Sequence, residues 1–357
     1  MWNQTKITEL FGIKYPILLG PMGGGFSTPQ LLAAVSNAGG LGSLGAYTLT
    51  PQQLLEAADT IKSLTDKPYN INLWVSDVDK HLTNYSAESL EKVKKHFKPY
   101  FDELSIPLPD LDINIPSKFQ EQVETLFKIK PAVFSFIFGL PPIEVLNEAR
   151  RLGIKTVGAA TTFDEALALE EAKVDAIVAA GFEAGGHRPS FLRPAHDSLT
   201  GTFTLVQQLK AKVKTPVIAA GGIADGKGIA AALTLGADAV QLGTAFIITD
   251  ESNAAPLHKA ALLSDDHKHT VLSKSLTGRM GRLINNRISE EVKYETEVLP
   301  FPLQTLLIRP LREAAIAQGK TDMINFWSGQ NGIKLKHTKA AELMQALITE
   351  TGQILKS

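Results

Sequence analysis

The sequence predicts an α/β fold: a (β/α)8 TIM barrel with a helical insertion after the third strand and a C-terminal helical subdomain. Three observations carry that expectation. Short apolar, β-branched or glycine-ended runs recur along the chain, helix-like stretches separate them, and the runs are nearly continuously apolar rather than alternating. Repeated strand–helix units build parallel sheets, and alternation disappears when neither face of a strand meets water.

The runs span residues 15–22, 41–46, 69–75, 132–138, 155–160, 175–181, 216–222 and 239–246. Eight of them fit a closed barrel, with an open doubly wound sheet as the alternative. Helix starts follow several runs, where Ser27-Thr28-Pro29, Thr50-Pro51, Thr162 and Asp225 offer capping or first-turn chemistry. Between 76 and 130 lies a charged, helical-looking insertion (AESLEKVKKHFKPYFDELSI within it). It is too long for an ordinary βα loop and reads as a cap or lid. After the eighth run, helical patterns such as AAELMQALITETGQIL continue to the end with no Pro-, Gly- or Ser-rich linker. The expected organisation is a barrel over 1–250, insertion included, and a helical extension over 251–357 packed on it.

The 357 residues are 44% hydrophobic and 20% charged, the composition of an ordinary soluble globular protein with a large core. A net charge of −1 argues against a basic nucleic-acid footprint. The absence of cysteine removes disulfides, thiolate metal sites, Fe–S clusters and cysteine nucleophiles. The first residues lack a signal-peptide pattern, and no uncharged apolar run approaches the roughly 20 residues of a membrane helix. The expectation is a cytoplasmic protein with no membrane or nucleic-acid partner.

In such barrels chemistry sits at the C-terminal strand ends, and those ends are rich in glycine. Gly221-Gly222 closes the seventh run just before a helix start at Asp225, and Gln241-Leu242-Gly243-Thr244 lies along the eighth. One glycine pair can simply make a turn; two on adjacent late strands point to a phosphate held by backbone amides. The sixth run leads into Glu183-Ala184-Gly185-Gly186-His187-Arg188, a glycine-flanked histidine at the catalytic rim that could act as base or hydrogen-bond donor. No second ligand at metal spacing accompanies His187, so no metal site is expected. Asp265, Asp266, His267 and His269, with His258 upstream, read as a surface loop. The run Gly20 to Gly25 could admit a flat ring system against bare backbone or make a flexible turn. Asn72, inside the apolar run INLWV, must find partners in a ligand or in a barrel-interior network. Phe136 and Phe138 read as core.

Taken together, GPMGGG at 20–25, the Asn72 strand, EAGGHR at 183–188, AAGGI at 219–223, GADAVQLGTAF at 236–246, TGRMGRLINN at 277–286 and WSGQ at 327–330 make the chain resemble the nitronate monooxygenase family. The resemblance spans most of its length. It implies an FMN-dependent barrel that oxidises alkyl nitronates, and in some cases nitroalkanes, with molecular oxygen to a carbonyl compound and nitrite. It puts ring contacts on Met22, Gly23 and Asn72, and the ribityl phosphate end on Gly185, Gly222, Gln241, Leu242, Gly243 and Thr244. Trp327 and Gln330 join the cofactor site, and His187 becomes the catalytic residue, either stabilising the nitronate as a cation or taking the α-proton of a nitroalkane as a base. The chain departs from the family at Ala180, where glutamine often precedes the glycine that ends the sixth strand; alanine cannot supply that amide's hydrogen bonds.

Two other readings accompany this one. An NADH-dependent flavin reductase of the enoyl-acyl-carrier-protein or quinone reductase type would share fold and flavin. A non-catalytic barrel sensing a phosphorylated metabolite would use the same phosphate cup without flavin. The expected partners are small molecules, the nitronate and oxygen, with a homodimer as the default assembly.

Overall fold

The computed structural model describes residues 1–76, 78–79, 86–294, 298–332 and 335–355. The strands are β1 (Ile17–Leu19), β2 (Gly42–Gly45), β3 (Tyr69–Trp74), β4 (Val133–Ile137), β5 (Lys155–Ala160), β6 (Ala176–Ala180), β7 (Gly186–His187), β8 (Val217–Ala220), β9 (Ala239–Leu242), β10 (Thr270–Ser273) and β11 (Gly281–Ile284). Eight of them form one parallel sheet in the order β1-β9-β8-β6-β5-β4-β3-β2. The bridge between Leu18 and Leu41, supported by Leu19 N–H donating to Leu41 O at 2.9 Å, brings β1 back to the β2 edge. The result is the expected eight-stranded TIM barrel.

Burial explains the apolar runs. Outward side chains such as Ile17, Leu19, Ile71, Ile177 and Val240 pack under the helices, while Leu18, Leu41, Val133, Val157, Val178 and Ile218 fill the interior. The N-terminal helix Lys6–Phe11 adds Ile7 and Phe11 to that interior core. Ser43, Asn70, Asn72 and Ser135 form a buried polar network on β2 to β4, in which Asn70 and Asn72 Nδ2 donate to Ser135 Oγ at 2.8 and 3.0 Å.

The capping residues act as their chemistry predicts. Thr28, Thr50, Thr162 and Asp225 each accept a backbone N–H in the first turn of the helix they precede, and Pro29 and Pro51 occupy first-turn positions.

The insertion divides into two parts, with residues 77 and 80–85 outside those described. Helix Ala87–Glu103 buries Val93, Phe97 and Phe101 in a second core shared with Leu283, Leu303, Leu307, Leu311 and Phe326. Helix Phe119–Ile129 instead packs on β3 and on helix Pro51–Leu64, as the ordinary outer helix of the third βα unit. Helix Ala340–Ile354 likewise returns to the outer ring, against helices Gly226–Thr234 and Pro29–Asn37. The strands β7, β10 and β11 form a small antiparallel sheet over the barrel mouth that the sequence reading did not anticipate.

Candidate active site

Inside the C-terminal mouth the barrel is lined by small side chains. Ala159, Ala180 and Ala220 face a cavity of about 470 Å3, and Ala180, Ala220 and Gln241 are aligned across β6, β8 and β9. That volume falls in the range of small-molecule and cofactor sites, roughly 300–1,000 Å3.

Backbone forms much of the wall. Gly23 lies so close to Tyr47 that a Cβ there would sit 2.4 Å from Tyr47 Cε1. Tyr47 is itself fixed from behind: the buried Gln122 donates from Nε2 to the carbonyls of Ala46, Tyr47 and Leu49 at 3.2, 3.0 and 2.8 Å. At the opposite rim the chain returns from the second core. Gly329 N–H donates to Thr244 Oγ1 at 2.9 Å, Gln330 N–H to Glu183 O at 3.0 Å and Asn331 Nδ2 to Gly222 O at 3.0 Å. This segment runs so near Gly185 that a Cβ there would lie 2.6 Å from Gly329 N.

His187 sits half-buried in the cavity wall on β7, paired with Gly281 of β11. Its Nε2 is 2.9 Å from Thr277 Oγ1, whose hydroxyl donates to Arg279 O at 3.0 Å. Trp74 meets the imidazole edge-on at 5.3 Å and Trp327 lies at 5.0 Å; Tyr47 stacks on Trp74 with ring centroids 3.6 Å apart. Burial among these rings, reinforced by the Arg279 guanidinium, pushes the His187 pKa down to about 3. Arg279 rests 4.3 Å over Phe138 and 4.5 Å over Phe301, and its Nε and Nη2 donate to Asp79 Oδ1 at 2.9 and 2.6 Å. Next to His187, the buried Arg188 donates to the carbonyls of Ala180 and Gly181, which close β6, at 2.9 and 2.6 Å, and to Ser198 O at 2.6 Å.

Of the residues the sequence singles out, Met22, Gly23, Gly185, His187, Gly222, Gln241, Gly243, Thr244 and Trp327 line this one cavity. Three do not. Asn72 belongs to the buried polar network below it, the interior alternative of the sequence reading, and its Oδ1 has no hydrogen-bond partner among the described residues. Leu242 turns its side chain into the helix-packed core, because β9 alternates and Gln241 takes the inward position. Gln330 is exposed and contributes its backbone N–H to the rim.

The sequence reading also missed members of the wall. His258, expected in a surface loop, is buried against the cavity: Nε2 donates to Trp327 O at 2.8 Å, and burial pushes its pKa down to about 4. Tyr47 lies two residues past the end of β2 and Trp74 is the last residue of β3, so the rule that barrel chemistry gathers at strand ends could have found them. Thr277 opens the TGRMGRLINN motif, which carried the family resemblance without assigning the threonine a role, and Arg312 comes from the C-terminal part with no local signal. Among the described residues, no group of three or more His, Asp or Glu side chains could hold a metal ion.

A barrel whose mouth is floored by alanine, walled by glycine backbone and faced by a neutral histidine defines an enzyme of the TIM-barrel class. Comparison with known proteins supplies the family. The nitronate monooxygenase family model matches residues 4–350. A protein of Staphylococcus aureus (strain Newman) described as a probable nitronate monooxygenase is 38% identical over 358 aligned positions, covering 100% of this chain and 99% of that one. Among solved structures, a nitroalkane oxidase from Streptomyces ansochromogenes superimposes with a TM-score of 0.88 at 34% identity, over 98% of this chain and 99% of its own. FabK from Thermotoga maritima superimposes with a TM-score of 0.76 at 28% identity, over 99% and 97%. The chain belongs to the nitronate monooxygenase family, a family of oxidoreductases. No helix among the described residues is long and apolar enough to cross a membrane.

Proposed function

We propose that the protein uses FMN to oxidise alkyl nitronates with molecular oxygen, giving a carbonyl compound and nitrite. The observation that carries this reading is His187, held by Thr277 in the wall of a cavity whose other walls are glycine backbone and flat aromatic rings. The residues present fit a flavin: alanines leave the barrel mouth open, and Gly23 and Gly24 line it with bare backbone, Gly24 having open space where a side chain would stand. Met22 and Gly23 would hold its ring, while Gly185, Gly222, Gln241, Gly243 and Thr244 would hold the phosphate end, with Trp327 closing the rim. When bound, FMN supplies the redox chemistry by accepting an electron from the nitronate.

The protein's part is to bind, orient and keep water out. Trp74 and Trp327 flank the imidazole and cover part of it. With its pKa near 3, His187 is neutral at neutral pH and a weak base, so nitronates, already deprotonated, are the better substrates. A bound anion beside the ring raises that pKa, which couples nitronate binding to proton uptake and lets the imidazolium offset the nitronate charge. Nitroalkanes would require Nδ1 to take the α-proton. In a His187→Asn enzyme, nitroalkane oxidation should then fall further than nitronate oxidation; equal losses would remove the base role. In this reading the enzyme acts in the cytoplasm on small molecules, and a symmetric dimer is its expected assembly.

The likeness to FabK gives the NADH-dependent reductase a specific footing as the second reading. Anaerobic stopped-flow absorbance on the FMN-loaded protein separates the two. Rapid flavin reduction by a nitronate with none by NADH supports the oxidation of nitronates, whereas full bleaching by NADH alone transfers the protein to the reductases.

A further inference from the structure

Helix Phe163–Glu171 starts just past the end of β5, and its third residue, Glu165, is a carboxylate with no exposed surface. A glutamate at this position ordinarily turns back to the start of its own helix. One oxygen does so: Oε2 accepts from Thr161 N and Thr161 Oγ1, both at 2.7 Å. The other reaches a distant segment. Oε1 accepts from the backbone N–H groups of Phe191 at 2.5 Å and Leu192 at 3.1 Å. Because the Thr161 hydroxyl already donates to Glu165, Ser190 Oγ must donate to it across their 2.8 Å contact, a second tie between the same two segments.

The segment held in this way continues directly from His187. Arg188 N–H donates to Met280 O at 2.9 Å, Pro189 stands in the cavity wall, and Ser190 to Leu192 follow. Before this point the chain is fastened by the pairing of His187 with Gly281 and by Thr277. Beyond it, Glu165 and Thr161 supply the fastening. Glu165 also acts on the buried arginine between them: burial lowers the Arg188 pKa, and Glu165 is the charge that most opposes this, ahead of Glu183 and against Arg282. Starting its own helix requires only one of the two Glu165 oxygens. The second is committed wholly to the chain that carries the histidine.

We propose that Glu165 is a positioning residue for His187: by clamping Phe191 and Leu192 to the end of β5, it sets where Pro189 and the imidazole stand in the cavity wall. This rests on the reading in which His187 faces the substrate, and it adds a residue that lies outside the cavity lining. A segment fastened at both ends has little freedom, whereas one fastened at a single end can swing. Misplacement of a reacting group by about 1 Å is enough to cost roughly 100-fold in rate.

The test follows the imidazole itself, by nitrogen-15 histidine spectra of FMN-loaded wild type, Glu165→Gln and Glu165→Asp between pH 8 and 5. His187→Asn assigns the signal. Glutamine turns one acceptor into a donor facing N–H groups; aspartate keeps the charge near Arg188 but falls one methylene short of spanning both segments. In wild type, burial with Arg279 nearby keeps His187 neutral across this range. In both variants water should reach the loosened ring, which should titrate with a midpoint between about pH 5 and 6.5. Turnover of a simple alkyl nitronate should fall about 10- to 100-fold in kcat/KM. If wild type oxidises no nitronate but His187 titrates in both variants, the nitronate reading falls and the clamp stands. A ring that stays neutral to pH 5 in both variants, whatever their thermal midpoints, would overturn the proposal, since Glu165 would then serve only the fold. Titration in Glu165→Gln but not in Glu165→Asp would overturn it too, by assigning the effect to charge rather than reach. Should Glu165→Gln not fold, the spectra of Glu165→Asp decide.

Discussion

The Thr277 hydroxyl sits 2.9 Å from His187 Nε2 and spends its own proton on the Arg279 carbonyl at 3.0 Å, so it can only accept from the imidazole. The relationship fixes the tautomer: Nε2 carries the proton and Nδ1 keeps the lone pair. Thr277→Val should leave a donor unsatisfied, lower stability by about 1–3 kcal/mol and permit both tautomers. Nitrogen-15 histidine NMR should read one neutral tautomer in wild type and a mixture in the valine variant, with Thr277→Ser restoring the first. A single tautomer in both would show that Thr277 does not set it.

Acid should destabilise the protein through its enclosed histidines. His258 is 3% exposed and its pKa falls from 6.5 to about 4 on folding. Between those values the unfolded chain takes up a proton that the folded chain refuses. The stability present above pH 6.5 therefore drains by about 1.4 kcal/mol per pH unit as pH falls, and levels off below about pH 4. His187 adds a drain of the same sign that continues toward pH 3. Urea unfolding at pH 7, 6 and 5 should show the decline, and His258→Gln, which keeps a donor for Trp327 O, should flatten it. An unaltered slope in that variant would count against the enclosed, neutral His258.

Gly23→Ala places a methyl 2.4 Å from the Tyr47 ring, which is pinned between Trp74 and the Gln122-held loop. Relief of that overlap should cost about 1–3 kcal/mol and, on the proposed flavin reading, weaken FMN binding about tenfold or more. Flavin fluorescence titration measures it directly; wild-type affinity would mean that the ring cluster yields freely.

Arg188→Met should remove the donors on which the carbonyls of Ala180, Gly181 and Ser198 rely. Although burial lowers its pKa to about 10, the guanidinium remains charged at neutral pH. Leaving these acceptors unsatisfied should cost at least about 2 kcal/mol, visible as a lower thermal midpoint. Arg188→Lys should rescue little, since a single ammonium cannot reproduce the guanidinium fork.

How far the sequence carries is clearest at the strands. The eight barrel strands were legible because both faces of each are covered, so their apolar character is nearly unbroken. The first and last runs extend past the sheet, which ends at Leu19 and Leu242, because Gly20–Met22 and Thr244–Phe246 remain partly apolar after leaving it. Gly185, His187 and Gly222 could be read as rim residues since glycine and histidine stand out at strand ends. His258 could not, because the polar residues after it resemble a surface loop and its burial depends on Phe26, Phe326 and Trp327, remote or contributed by the second core. Arg312 was equally hidden: on a helix, an arginine facing a cavity and one facing solvent look alike until the helix is docked.

The rim formed by Trp327 to Asn331 has a consequence for the order in which the protein becomes complete. The strand that ends at Leu242 leaves the ribosome about 85 residues before this rim, an interval of roughly 4–17 s at synthesis rates of about 5–20 residues per second. Throughout that interval the nascent barrel can exist with its mouth unsealed, its alanine floor and aromatic wall open to whatever apolar surface the cell presents. If the cavity takes FMN as proposed, capture of the cofactor during synthesis would therefore compete with chaperone binding at the same apolar mouth.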